Sequence, residues 1–157
     1  MKIILVFLDF DGVMHPAGCD TSRYFCNLAE FEAVMREHPD VGIVIASTWR
    51  HAYPLTELKR NFSPDIGARI VGKTPMLEEE GDDHTRYEEI REFMRHPQLA
   101  GAQWIAVDDS DVEFPPGCAN LVLCDSDHGF DADAAKALRE RLVAVELRDA
   151  PSAPEKP

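Results

Sequence analysis

The chain begins with an apolar stretch that ends in two carboxylates. Residues 2–8 are rich in β-branched and large apolar side chains, and Asp9, Asp11 and Gly12 follow closely. Such a run is typical of a buried strand. Side chains alternate along an extended backbone, so Asp9 and Asp11 are expected on the same side of it. Two carboxylates that close repel unless a cation or a shared proton compensates, and a hard divalent cation such as Mg2+ is the simplest compensation. The stretch therefore predicts a site for phosphate chemistry.

Size and composition favour one soluble, folded domain. The 157 residues are enough for one core, and an apolar fraction of 45% is ordinary for a globular protein. The formal net charge of -13 argues against a broad basic surface for nucleic acid. We expect a single domain over residues 1–148 and a disordered tail over residues 149–157, which contain three prolines.

The N-terminal stretch and the cysteines indicate a cytoplasmic protein with no membrane partner. The apolar run Ile3 to Leu8 meets Asp9 too soon for a signal peptide, and no apolar run approaches the roughly 18 residues of a membrane span. Four cysteines show no CxxC or Cys/His metal spacing, and we interpret them as reduced thiols.

Apolar runs and amphipathic segments alternate along the rest of the chain. Further strands are predicted at 41–46, 69–72, 103–107 and 120–123, and helices at 28–38, 54–62, 85–95 and 132–147. This alternation is typical of an α/β fold of three layers, with a mainly parallel five-stranded sheet between helices. Sites in such sheets lie at the carboxyl ends of strands. Three ends carry polar side chains: Asp9 and Asp11, Ser47 and Thr48, and Asp108 and Asp109.

These strand ends resemble the motifs of the haloacid dehalogenase-like (HAD) superfamily of phosphotransferases. Residues 9–13 match the first motif, Asp-x-Asp-Gly-(Val/Thr); the apolar strand closed by Ser47 matches the second; the strand closed by Asp108 and Asp109 matches the fourth. The resemblance spans about residues 2 to 147 and implies a Rossmann-like HAD fold. Residues 47–50, Ser-Thr-Trp-Arg, are also similar to small stand-alone HAD domains related to those of RNA-repair proteins.

The third motif of the superfamily is a basic residue, and two positions compete for it. Arg86 opens a predicted helix between the third and fourth strands, whereas Lys73 follows the third strand directly. We favour Arg86. The alternative interpretation of Arg86 is a salt bridge to Glu89, three residues further along a solvated helix face.

The resemblance implies roles for the strand-end residues. Asp9 would attack the phosphorus of a phosphomonoester and form an aspartyl-phosphate. Asp11 would protonate the leaving oxygen and then deprotonate the hydrolytic water. Mg2+ would be held by Asp9, the backbone carbonyl of Asp11 and Asp108, and Asp109 would bind the metal or orient one of its waters. Asp108 and Asp109 could exchange these two roles.

The remaining candidates concern the transferred phosphoryl group. Ser47 would hydrogen-bond a phosphoryl oxygen, with Thr48 as the alternative, and the basic residue would neutralise charge on the nucleophile and the phosphoryl group. Gly12 would let the backbone turn and expose its amides to phosphate. Arg50 is open between a surface residue and a contact to the substrate phosphate.

Other ring side chains near these ends have ordinary interpretations. The histidines His15, His51 and His128 are interpreted as surface residues, because a lone histidine at such an edge is more often exposed than catalytic. Trp49 is interpreted as part of the core rather than as a platform on which a base stacks.

Substrate choice in HAD enzymes depends largely on cap insertions, and this chain has little room for one. Only 35 residues separate Asp11 from Ser47, and about a dozen of them belong to a predicted helix. We therefore expect a minimal cap or none, and an open site that accepts a nucleotide, a polynucleotide end or another phosphoester. The acidic charge weakens the polynucleotide option. The alternative function is a catalytically silent HAD-fold interaction module.

Overall fold

A parallel five-stranded sheet forms the centre of the protein. The structure is a computed structural model that describes residues 2–78 and 84–149. The strands are all parallel, in the order β3-β2-β1-β4-β5. They are β1 (Ile4–Leu8), β2 (Gly42–Ile45), β3 (Ile70–Lys73), β4 (Gln103–Asp108) and β5 (Leu121–Leu123). The predicted Rossmann-like α/β architecture is confirmed.

The described residues form five α-helices: α1 (Leu28–Glu37), α2 (Leu55–Lys59), α3 (Pro64–Gly67), α4 (Thr85–Met94) and α5 (Ala132–Asp149). Four short 3-10 helices lie at Thr21–Arg23, Thr48–His51, Pro97–Leu99 and Asp111–Glu113. None of these helices is both long and apolar enough to cross a bilayer. All four cysteines are free thiols.

The central strand β1 is buried on both faces, because its side chains alternate between two apolar clusters. Val6 packs in one cluster with Phe31 of α1 and Leu138 of α5. Phe7 packs in the other with Ile90 of α4. A strand that is apolar at every position is therefore the expected consequence of a sheet with helices on both sides. Between β1 and α1, in a stretch that is described throughout, the one regular element is the 3-10 helix Thr21–Arg23, so no folded cap is inserted there.

Two boundary differences have an identifiable local feature, and the other strands and helices begin and end within two residues of the predictions. The helix predicted over 54–62 is shorter, and a separate helix, α3, begins at Pro64 directly after Ser63. Proline is favoured in the first turn of a helix, where its missing N–H costs nothing. The third strand begins at Ile70 rather than Arg69, whose guanidinium donates to main-chain carbonyls that include those of Met35 and Val41. Beyond Asp149, the predicted tail lies outside the described residues.

Arg50 joins three elements beneath the carboxyl ends of the strands. Its guanidinium is buried and forms an ion pair of 2.6 Å with Glu89 of α4. The other N–H groups donate to the main-chain carbonyls of Ala46, Ser47, Thr74 and Pro75. The sequence left this residue open between a surface position and a phosphate contact. The surface interpretation is wrong, because the side chain is buried and its N–H donors are used within the protein. The contact to a substrate phosphate stays a prediction.

The Arg50–Glu89 pair provides a test of how the sheet edge is held. We expect Arg50→Leu to lower the free energy of unfolding by about 3–5 kcal/mol, because a buried carboxylate and four carbonyls lose their donor. Arg139→Leu is the matched control, since the ion pair of Arg139 with Glu37 is substantially exposed on both sides and its loss should cost far less. Urea denaturation measures both variants. Equal losses for the two would contradict the role given to Arg50.

Candidate active site

Three carboxylates meet where β1 and β4 end. Asp9 follows β1 and Asp108 is the last residue of β4. The two strands are neighbours, and the N–H of Asp9 donates to the carbonyl of Val107 at 3.1 Å. One side-chain oxygen from each of Asp9, Asp108 and Asp109 lies within 4.8 Å of the other two. Asp9 and Asp108 are buried, whereas Asp109 is partly exposed. The strand register therefore brings together three of the four acidic side chains that the sequence placed at these strand ends.

Arg86, at the start of α4, lies between two of these carboxylates. Its Nη1 is 3.0 Å from Oδ2 of Asp9 and 2.6 Å from Oδ2 of Asp108. The alternative pairing of Arg86 with Glu89 is wrong, because Glu89 is bonded to Arg50 instead. Lys73 donates to the main-chain carbonyl of Arg50 at 3.4 Å, away from the acidic cluster. The geometry thus favours Arg86 over Lys73 as the basic residue of the site.

The charges at this site are not balanced. Burial raises the pKa of Asp9 well above its usual range, the carboxylate of Asp108 adds to this, and the guanidinium of Arg86 opposes it. Burial likewise raises the pKa of Asp108 against the effect of Arg86. When all three carboxylates are ionised, the guanidinium of Arg86, which contacts two of them, leaves an excess of negative charge. Clustered carboxylate oxygens that carry uncompensated negative charge fit a hard divalent cation.

Asp11 has a different environment from Asp9, although only one residue separates them. Its side chain is half-exposed and lies outside the acidic cluster. Oδ1 is 2.7 Å from Nε2 of His15, and Oδ2 accepts a hydrogen bond of 3.0 Å from the indole Nε1 of Trp49. The two carboxylates are therefore directed to separate partners, and the Asp11 side chain stays free of the predicted metal position.

Gly12 makes the close approach of Asp109 possible. Its φ is 75°, in the left-handed region that favours glycine. A Cβ at this position would also overlap the carboxylate of Asp109. That carboxylate accepts a hydrogen bond of 2.8 Å from the hydroxyl of Ser126, which the sequence did not identify. The backbone of the first motif thus fits against the fourth motif only because residue 12 has no side chain.

Ser47 is buried at the end of β2, as predicted. Its Oγ accepts a hydrogen bond of 3.2 Å from the N–H of Trp49 and so caps the 3-10 helix Thr48–His51. The hydroxyl proton of Ser47 is left for another acceptor. Thr48 is exposed and is the first residue of that short helix.

One of the ring residues near the strand ends differs in exposure from its interpretation. The interpretation of His15 as a surface residue is wrong: the side chain is 1% exposed. His51 and His128 are exposed, as expected. Trp49 is partly buried and packs against Phe10, at 5.5 Å between ring centroids. Trp49 therefore contacts the core, as interpreted, and it also lines a cavity with Tyr53. Its hydrogen bond to Asp11 was missed, because spacing along the chain does not reveal a partner 38 residues away.

The parallel sheet and the acidic strand ends together are those of a HAD-like domain. A family model for the HAD domain in Swiss Army Knife RNA repair proteins matches residues 5–135. The match covers most of the chain, which therefore belongs to this family. Comparison with curated proteins and with solved structures gives no significant match.

Substituting Gly12 tests two constraints on this position, its left-handed backbone and its contact with Asp109. We expect Gly12→Ala to lower the free energy of unfolding by more than the about 1–2 kcal/mol that a left-handed conformation costs an alanine, because Asp109 must also move. Gly18→Ala is the matched control: Gly18 has a φ of 68°, but a Cβ there would meet nothing within 4 Å. Chemical denaturation of both variants measures the difference. Similar losses would show that the contact with Asp109 is unimportant.

Proposed function

We propose that the protein is a Mg2+-dependent phosphomonoester hydrolase of the HAD type, which acts through an aspartyl-phosphate on Asp9. The observation that carries the proposal is the contact of Arg86 with the buried carboxylates of Asp9 and Asp108, next to Asp109. Membership of a HAD family adds support, because the family resemblance assigns these positions to phosphoryl transfer.

In the first step, a carboxylate oxygen of Asp9 attacks the phosphorus and the ester P–O bond breaks. Asp11 gives a proton to the leaving oxygen, so that an alcohol departs rather than an alkoxide. Arg86 stabilises the negative charge of the transferring group, and the hydroxyl of Ser47 donates to one of its oxygens. The second step reverses the proton movement: Asp11 takes a proton from water as the water attacks phosphorus, and the bond to Asp9 breaks to release inorganic phosphate.

The donors for Mg2+ in this proposal are Asp9, the backbone carbonyl of Asp11 and Asp108, with Asp109 close enough to share the role of Asp108. When bound, Mg2+ supplies positive charge that keeps Asp9 ionised despite its burial and that polarises the phosphoryl oxygens.

The site supports a phosphoester with a leaving group of substantial size. The chain between Gly12 and α1 contains no folded cap in a stretch that is described throughout. Beside the indole of Trp49 lies a cavity of about 230 Å³, which is also lined by Tyr53 and Asn61. Aromatic walls with a few polar groups suit a nucleobase. We therefore favour a nucleotide, and a polynucleotide end only where a partner offsets the net charge of -13.

Asp9→Asn tests the nucleophile. We expect this variant to lose hydrolysis of p-nitrophenyl phosphate in the presence of Mg2+ by about 1,000-fold or more, because an amide cannot form the acyl phosphate. The same assay is run on nucleoside monophosphates, on oligonucleotides phosphorylated at the 3' or 5' end, on phosphopeptides and on sugar phosphates. Thermal unfolding checks that the variant is folded.

The alternative of a catalytically silent HAD-fold module predicts another result. The wild type and Asp9→Asn would then both fail to turn over every substrate of the panel. That outcome would overturn the proposed activity while leaving the fold assignment intact.

The choice of basic residue has its own test. We expect Arg86→Ala to reduce kcat by about 100- to 1,000-fold, the range found when one preorganised donor to a transition state is removed. Lys73→Ala is the matched control and should retain activity, because its ammonium lies against the carbonyl of Arg50. If only Lys73→Ala were inactive, the assignment of Arg86 would be wrong.

A further inference from the structure

The carboxylate of Asp11 is held by two ring nitrogens, one on each oxygen. Nε2 of His15 lies 2.7 Å from Oδ1, and the indole N–H of Trp49 donates to Oδ2 at 3.0 Å. Two directional bonds on opposite oxygens fix the rotation of a carboxylate about its Cβ–Cγ bond. Each oxygen has a second lone-pair site, so a position for a transferable proton remains. The side chain is 50% exposed, which leaves that position accessible from solvent.

The fold determines which nitrogen of His15 carries the proton. The backbone N–H of Phe25 donates to Nδ1 of His15 at 3.3 Å. An N–H group can only donate, so Nδ1 presents a lone pair and the ring proton of a neutral imidazole lies on Nε2, towards Asp11. Phe25 is the one non-glycine residue with a positive φ in the described chain, at 61°. Strained backbone of this kind persists where the surrounding structure requires it, often at functional sites.

The surroundings of His15 keep the ring in place. A tight turn brings it back to Asp11: the N–H groups of Val13 and Met14 both donate to the carbonyl of Phe10. The imidazole is 1% exposed and stacks on Tyr24, with 4.5 Å between ring centroids and an angle of 24°. A buried imidazole that has a defined tautomer and bonds one carboxylate serves mainly to orient that carboxylate, and packing in the core is secondary.

We propose that His15, with Trp49 as the second donor, is a positioning residue that holds Asp11 in the orientation from which it protonates the leaving oxygen. The proposal rests on the acid–base role given to Asp11 above. His15 is buried and acts through Asp11, and the indole N–H of Trp49 acts through the same carboxylate. Misplacing a proton donor by a fraction of an ångström weakens its catalysis steeply, because proton transfer needs hydrogen-bond distance.

This role predicts a dependence on the leaving group. An alkoxide is a strong base and needs a proton as it departs, whereas p-nitrophenolate leaves readily without one. The constant kcat/KM covers the steps up to departure of the leaving group. Loss of the donors should therefore reduce kcat/KM for an alkyl phosphate such as β-glycerol phosphate more than kcat/KM for p-nitrophenyl phosphate. A purely structural defect lowers both by the same factor.

The experiment compares His15→Phe and Trp49→Phe, which remove the N–H groups but keep an aromatic ring, with the wild type on both substrates. We expect the ratio of kcat/KM for the alkyl to the aryl phosphate to fall by about tenfold or more in His15→Phe. His15→Gln keeps an N–H at a similar reach and should recover part of the ratio. The control is His51→Phe, an exposed histidine of the neighbouring 3-10 helix, which should leave the ratio unchanged.

A double substitution and a spectroscopic measurement complete the test. In an Asp11→Asn background, His15→Phe should change the ratio no further, since its effect passes through Asp11. Nitrogen chemical shifts of the imidazole report the tautomer without any need for turnover, and we expect the Nε2–H form in the folded wild type. Three results would each overturn the positioning role alone. They are an equal loss of kcat/KM on both substrates, a fall in the ratio on adding His15→Phe to Asp11→Asn that is as large as in the wild type, and the Nδ1–H tautomer. Absence of turnover by the wild type would overturn the proposed function as well.

Discussion

The contact of Arg86 with Asp9 and Asp108 is the interaction on which the site depends. Two carboxylates are buried side by side at the ends of adjacent strands, where burial alone favours their neutral forms. The guanidinium of Arg86 contacts both carboxylates and stabilises their negative charge between the apolar layers on the two faces of the sheet. Arg86 comes from α4, so the position of that helix determines the electrostatics of the strand ends. The buried Arg50–Glu89 pair attaches the same helix to β2 and β3.

The two acidic residues of the first motif have different environments although only one residue separates them. Asp9 still belongs to the buried end of β1 and is governed by burial and by Arg86. Asp11 lies past the strand, in a turn that exposes its carboxylate and gives it only neutral donors, His15 and Trp49. Pairs of carboxylates with such different environments are a common basis for a division between nucleophile and acid–base catalyst. In this protein, Gly12 supplies the turn that separates them.

Sequence reasoning identified the features that depend on neighbouring residues. The period of the apolar residues predicted the five strands, and parallel strands necessarily bring Asp9 and Asp108 to one edge. It failed for polar groups whose partners are distant along the chain. Arg50 reads as a surface residue until Glu89, 39 residues later, is seen beside it. His15 reads the same way because its second partner is a backbone N–H, which no residue type reveals. The boundary errors at α3 and β3 arose from local signals, Pro64 and Arg69, that the periodicity does not contain.

The charge at the strand ends also bears on how the proposed substrate would bind. A phosphate monoester carries close to two negative charges at neutral pH, and the acidic cluster already exceeds the charge of Arg86. Repulsion would therefore oppose binding of the phosphate to the protein alone. A divalent cation among the same carboxylates would reverse the sign of that field, so cation and phosphate should each strengthen the binding of the other, by equal factors. Under the proposed function, the acidic cluster would therefore make the cation a condition for substrate binding as well as for chemistry, and a net charge of -13 over the whole chain would add to that requirement.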